Sequence, residues 1–234
     1  MLTSHKLKKM KEIKISANQL ATFNEVTEAK KKSIIRQQKK PNPIIVARYG
    51  LARARIRKAY KEKGDLTSVL EGIEVLKNRI PDTDWKRNDK MVSIEAMNRF
   101  LRMKLPDFLI DVPYEIIKRP KISWIIINGV KVVVSPDLIV KIKIDDKIMF
   151  GAIKIRIAKS SFFTKRQSQR IATLIHKYLE EVVAKDDEVV HKGMCLAIDV
   201  FQNTAIQAPP KTERTINEIK NSCNEVKFFW SKVA

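Results

Sequence analysis

The sequence predicts an α/β protein in which a basic helical region precedes a core ordered helix, three strands, helix, strand, helix. Three observations predict it. Through the first hundred residues, apolar side chains recur at helical spacing. Beyond Pro106, short runs rich in Val and Ile, separated by turn dipeptides, replace that pattern. The charge is also uneven: the 234 residues carry 47 Lys+Arg against 26 Asp+Glu, a net +21, and residues 1–63 alone account for +14 of it. A hydrophobic fraction of 44% is enough for a sizeable core.

Taken in order, a basic leader precedes a helix expected near Ser16–Gln38, with Ser16 or Asn18 as N-cap and "KKPNP" (39–43) as its stop. The stretch "IIVARYGLARARIRKAYKEK" (44–63) forms a second helix, with Tyr49, Ala52, Ile56 and Ala59 as its apolar stripe and Gly64-Asp65 as its end. A third spans 66–80, stopped by Pro81; a fourth opens at Asp89 or Ser93 and runs to about Lys104. Strands are expected at 122–129, 130–142 and 147–158, with Asn128-Gly129 and Asp145-Asp146 as the hairpin turns. A long helix over about Lys165–Ala184 places Ile171, Leu174, Ile175, Tyr178 and Val182 on one face. A strand at 193–201 and a helix over about Glu213–Lys232 complete the order. The division falls between a basic helical nucleic-acid-binding region, 1–88, and a core, 89–234.

Composition narrows the function. Cys195 and Cys223 are too few for a disulfide framework, so a reducing compartment, the cytoplasm, is expected. His5, His176 and His191 are too scattered for zinc. No apolar run approaches the length of a membrane span, so no membrane partner is expected, and the basic N-terminus lacks the hydrophobic segment of a secretory signal. No Walker loop, GxGxxG or GxSxG occurs, which leaves ATPase, dinucleotide-binding and serine-hydrolase readings without support.

A net +21 attracts a polyanion, because each phosphate neutralised releases condensed counterions. Nucleic acid, DNA ahead of RNA, is the expected partner; solubility alone does not require so strong a bias of one sign. On the second helix Arg48, Arg55 and Lys58 project together, with Arg53 and Arg57 beside them, a spacing that can track a phosphate backbone without reading bases. In the core, Lys141, Lys143, Lys154, Arg156 and Lys159 are expected to line one cation-rich face.

The stretch "SPDLIVKIKIDDKIMFGAIKIR" (135–156) carries the chemistry. Alternate residues on a strand share a face, so a hairpin would bring Asp137 beside Ala152 and Lys154. Pro136-Asp137 on one strand, Ala152-Ile153-Lys154 on the next, and the element order around them resemble the PD-(D/E)xK nuclease superfamily and its restriction-endonuclease-like core. In outline the likeness is to the RecB-like and lambda-exonuclease-like branches. It covers about residues 90–232. The resemblance implies that Asp137 is a ligand of Mg2+, that Lys154 is the catalytic lysine orienting or activating water, and that the reaction is phosphodiester cleavage. Some branches carry a glutamine on the following helix, for which Gln167 and Gln169 are candidates.

The sequence departs from that family where Ala152 stands in place of the second acid. A lone carboxylate ringed by lysines holds Mg2+ weakly, since the ion takes hard oxygen ligands. Three accounts stay open. The acid was replaced by substitution; or Glu95, Glu115 or Asp199 supplies a carboxylate to the metal; or cleavage was lost and binding kept, as in an architectural or regulatory DNA-binding protein. An RNA-associated factor is a further alternative. The small size and absence of a motor suggest a component of a phage-defence, repair or mobile-element system, with protein partners in a larger complex.

Overall fold

A computed structural model describes residues 12–42, 48–110, 112–144 and 146–233. The elements are β1 (Lys14–Ser16), α1 (Ala17–Phe23), α2 (Glu28–Lys39), α3 (Gly50–Lys61), α4 (Thr67–Asn78), α5 (Asp84–Phe100), a 3-10 turn (Asp107–Leu109), β2 (Tyr114–Ile116), β3 (Trp124–Ile127), β4 (Val130–Val133), β5 (Leu138–Ile144), β6 (Lys147–Arg156), α6 (Lys165–Val182), β7 (Val189–Asp199), β8 (Thr204–Gln207) and α7 (Glu213–Lys232). The chain is therefore a mixed α/β protein.

A five-stranded mixed sheet in the order β2-β5-β6-β7-β8 forms the centre. Its β5 and β6 are antiparallel neighbours, β6 and β7 are parallel, with α6 as their connection, and β2 and β8 close the two edges antiparallel. Alternation of side chains splits the strands between two cores. Leu138, Val140, Ile142, Ile153, Ile155, Leu196 and Ile198 pack under α3, α4 and α5. Ile139, Phe150, Ala152, Cys195 and Ala197 pack toward α1, α2, α6, α7 and a second, three-stranded sheet, β1-β4-β3.

Several local devices set these elements. Asn128 and Gly129, at φ 47° and 75°, make the tight β3–β4 turn that the sequence predicts. The predicted 130–142 strand is broken: Ser135 takes φ 41°, and the chain passes over 134–137 from the small sheet into the large one. Ser123 O accepts from the backbone N–H of both Val134 and Ser135, closing that corner. The predicted 16–38 helix is also two helices. Ser16 caps the first as expected, and Thr27, whose side chain accepts from Lys30 N, starts the second. Thr83, not Asp89 or Ser93, caps α5 by accepting from Lys86 N. Part of the predicted 44–63 helix, 44–47, lies outside the described residues, as does Asp145 of the expected β5–β6 turn.

Position 88 lies inside α5. The N-terminal helices flank both faces of the sheet: α3 and α5 share a core with β5–β7, and Phe23 of α1 meets Phe229 of α7 edge-on at 6.0 Å between ring centres. No helix among the described residues is long and apolar enough to cross a membrane.

Candidate nucleic-acid interface

The site is built at the corner where the chain enters β5. Asp137 N donates to Ile153 O at 2.8 Å, which fixes Asp137 opposite Lys154 across the β5–β6 pair. The two side chains share a face, as the two-residue period requires: Lys154 Nζ stands 3.7 Å from Asp137 Oδ2. The Asp137 side chain is only 1% exposed, and its oxygens are fully engaged. Oδ2 accepts from Ile155 N at 2.8 Å; Oδ1 accepts from Arg57 Nε at 2.6 Å and from one Arg57 Nη.

Lys154 donates to Ser135 O at 2.6 Å, and Arg119 donates to Pro136 O at 2.5 Å. Burial, the leading cause, holds the Lys154 ammonium below its ordinary value; Asp137 opposes this, and Arg57, Arg119 and Arg53 reinforce it. Beside this corner lies a pocket of about 350 Å³, whose wall includes Asp137, Lys61, Lys118 and Arg119. Arg53, Arg57 and Lys61 stand at i, i+4 and i+8 on one side of α3: Lys61 lines the pocket, Arg57 bonds Asp137 behind it, and Arg53 acts on Lys154.

The second acidic position is filled with apolar packing. Ala152 is 0% exposed and sits between Ile139 and Cys195 in the sheet, inside the core under α6. Glu115 lies on β2 opposite Lys141, four residues along β5 from Asp137, or about 13 Å at the usual rise. Glu95 is held on α5 by Lys159 at 2.7 Å and by Arg99 at 3.1 Å, and these cations lower its carboxyl, the Lys159 hydrogen bond foremost. Asp199 is two strands from Asp137, ~10 Å sideways, with Lys154 and Arg156 on the strand between. Among the described residues no three His, Cys, Asp or Glu side chains come close enough to share an ion. The residues present do not fit Mg2+: among the described residues the corner has one carboxylate, and its oxygens already accept from the Arg57 guanidinium and from Ile155 N.

The other predicted cations are distributed differently. Arg156 stacks on the Phe163 ring at 3.7 Å, donates to Ser161 and stands 3.6 Å from Asp199. Burial raises the Asp199 carboxyl, while backbone N–H groups of Gln202 and Phe201 bond its Oδ1. Lys143 pairs with Asp146 at the far end of the hairpin, and Lys141 lies mid-strand between Glu115 and Phe150. On α3, Arg55 turns to Glu71 at 3.2 Å and Lys58 to Glu62 at 3.5 Å; Arg48, just before it, turns to Asn88 at 2.6 Å. Gln167 completes the α6 capping box and donates to Glu25. The structure thus brings Asp137, Lys154, Arg53 and Arg57 together and leaves the other predicted cations apart. Lys118 and Arg119 were not singled out by the sequence reading; their signal was the adjacent pair of cations preceding Pro120, just after the edge strand β2.

Compared with known proteins, the chain matches no family model, and no curated protein matches it significantly.

Proposed function

We propose that this protein binds nucleic acid, DNA ahead of RNA, through a metal-free cationic corner derived from a PD-(D/E)xK-like core, and that it does not cleave. One observation carries the second half of that reading: Arg57 occupies Asp137, the only carboxylate at the corner among the described residues, while Ala152 lies buried in apolar packing. The kinship is supported by the antiparallel pairing of the Pro136-Asp137 strand with the Lys154 strand, followed by a helix and a parallel β7. The net +21 supports the polyanionic partner.

The reading is tested by titrating a labelled DNA duplex with protein in chelator and in Mg2+. Affinity should be the same in both and fall steeply with salt, and neither the native chain nor Ala152→Glu should nick supercoiled DNA. A flat salt dependence would remove the counterion argument. Mg2+-dependent nicking that disappears in Asp137→Asn would restore a cleaving enzyme.

A further inference from the structure

We infer that the pocket beside Asp137 seats a backbone phosphate of the bound nucleic acid, and that Asp137 acts there as a positioning residue for cations. This rests on the nucleic-acid reading above and adds to it a place and a geometry. Lys61, Lys118 and Arg119 line the pocket, Arg57 and Lys154 stand against Asp137 at its edge, Arg53 lies close to Lys154, and Asp137 is the only carboxylate on the pocket among the described residues. Among the described residues, Arg53, Lys61 and Lys118 make no ion pair. Such an excess in a recess is self-repelling, and an anion entering it relieves that repulsion.

The donors select a tetrahedral oxyanion. Arg57 uses Nε and one Nη on a single oxygen of Asp137, so its other Nη is left to reach outward. With a third of its side chain exposed, Arg57 joins the buried Asp137 to the surface, and Arg119 lines the pocket while giving one Nη to Pro136 O. Two guanidinium forks with flanking ammonium groups suit the several oxygens of a phosphate better than a single carboxylate. Asp137 sets the fork of Arg57 and draws Lys154 inward. The acid that a metal would need is thereby used to aim guanidinium and ammonium groups instead.

The test measures anisotropy of a 20-base-pair duplex of arbitrary sequence across salt concentrations. A Lys118→Ala/Arg119→Ala double variant should bind on the order of tenfold more weakly, and its log–log salt slope should shrink by about 1, the share of one phosphate. Asp137→Asn should shrink the slope in the same sense, whereas mere loss of folded protein lowers the active fraction and leaves the slope alone. The Arg55→Ala/Lys58→Ala variant, whose cations point elsewhere, should keep the native slope.

Equal slopes for all four proteins would overturn the pocket as the seat while leaving nucleic-acid binding intact. A native chain that binds neither duplex, single-stranded DNA nor an RNA hairpin at low salt would overturn the function itself. In that event, thermal stabilisation by inorganic phosphate, lost in Lys118→Ala/Arg119→Ala, would identify a site for a free anion in place of a backbone.

Discussion

Asp137, the expected metal ligand, accepts a hydrogen bond from Arg57, 80 positions earlier in the chain. Its meeting with Lys154 was legible, because the two-residue strand period alone places them on one face. The spacing of Arg57 on α3 suits a cation that tracks a backbone, but the rotation of α3 against the sheet, which decides that Arg57 reaches inward and Lys58 outward, follows from packing between distant segments. Removing the carboxylate leaves the largely buried Lys154 and the half-buried Arg57 without their counter-charge. Asp137→Ala should lower the unfolding free energy by about 3–5 kcal/mol in urea titration, and an unchanged midpoint would show the pair to be dispensable. Asp199 makes a different prediction. Its carboxyl is raised by burial, so the folded protein holds that proton more tightly than the unfolded chain. This contribution is greatest below the ordinary value of 3.8 and declines as pH rises from there through the raised value. The stability of the native chain relative to Asp199→Asn should therefore fall as pH rises from about 4, which thermal melts across pH can follow.

At the scale of elements, the signals that proved readable are those written in one short stretch: Ser16 as a cap, the Asn128-Gly129 turn, and the bounds of α7, observed as expected at Glu213–Lys232. The short edge strands β1, β2 and β8 were not expected; three or four residues carry too little period to stand out, and they exist because longer strands offer them a ladder. The split of 130–142 was hidden in the same way, since Val and Ile continue through both halves. One irregularity lends itself to test. Between Phe150 and Ala152 the β6–β7 register shifts, and a Cβ on Gly151 would stand 2.4 Å from Met194 Cβ and 2.8 Å from Met194 O. Because a backbone atom is involved, the strand itself must move. Gly151→Ala should cost about 1–3 kcal/mol, read by chemical denaturation, and a neutral result would mean that the bulge yields freely.

For the whole molecule, the basic N-terminal helices do more than append charge: α3, α4 and α5 cover one face of the central sheet, and α1 and α2 pack with α6 and α7 on the other side. Their charge was legible, and their structural part was not, because an amphipathic stripe declares that a face is buried without naming what covers it. Cys195 and Cys223 lie in the core formed by α1, α2, α6, α7 and the small sheet, and burial pushes each thiol up to about 12. At pH 8 a thiol reagent should therefore find both silent in the native protein and both reactive once urea unfolds it. Prompt labelling of either while the fold persists would show that this layer opens independently of the rest.

The passage of the chain from one sheet to the other, over 134–137, has a mechanical consequence. The carbonyls of Ser135 and Pro136 at that bend are gripped by Lys154 and Arg119, the same groups proposed to meet a phosphate. A ligand that draws those two cations outward takes them from the hinge between the sheets, so occupancy and the angle of the small sheet form one linked equilibrium. Bound polyanion should then change amide exchange along β3, whose start is hydrogen-bonded to this bend through Ser123 O.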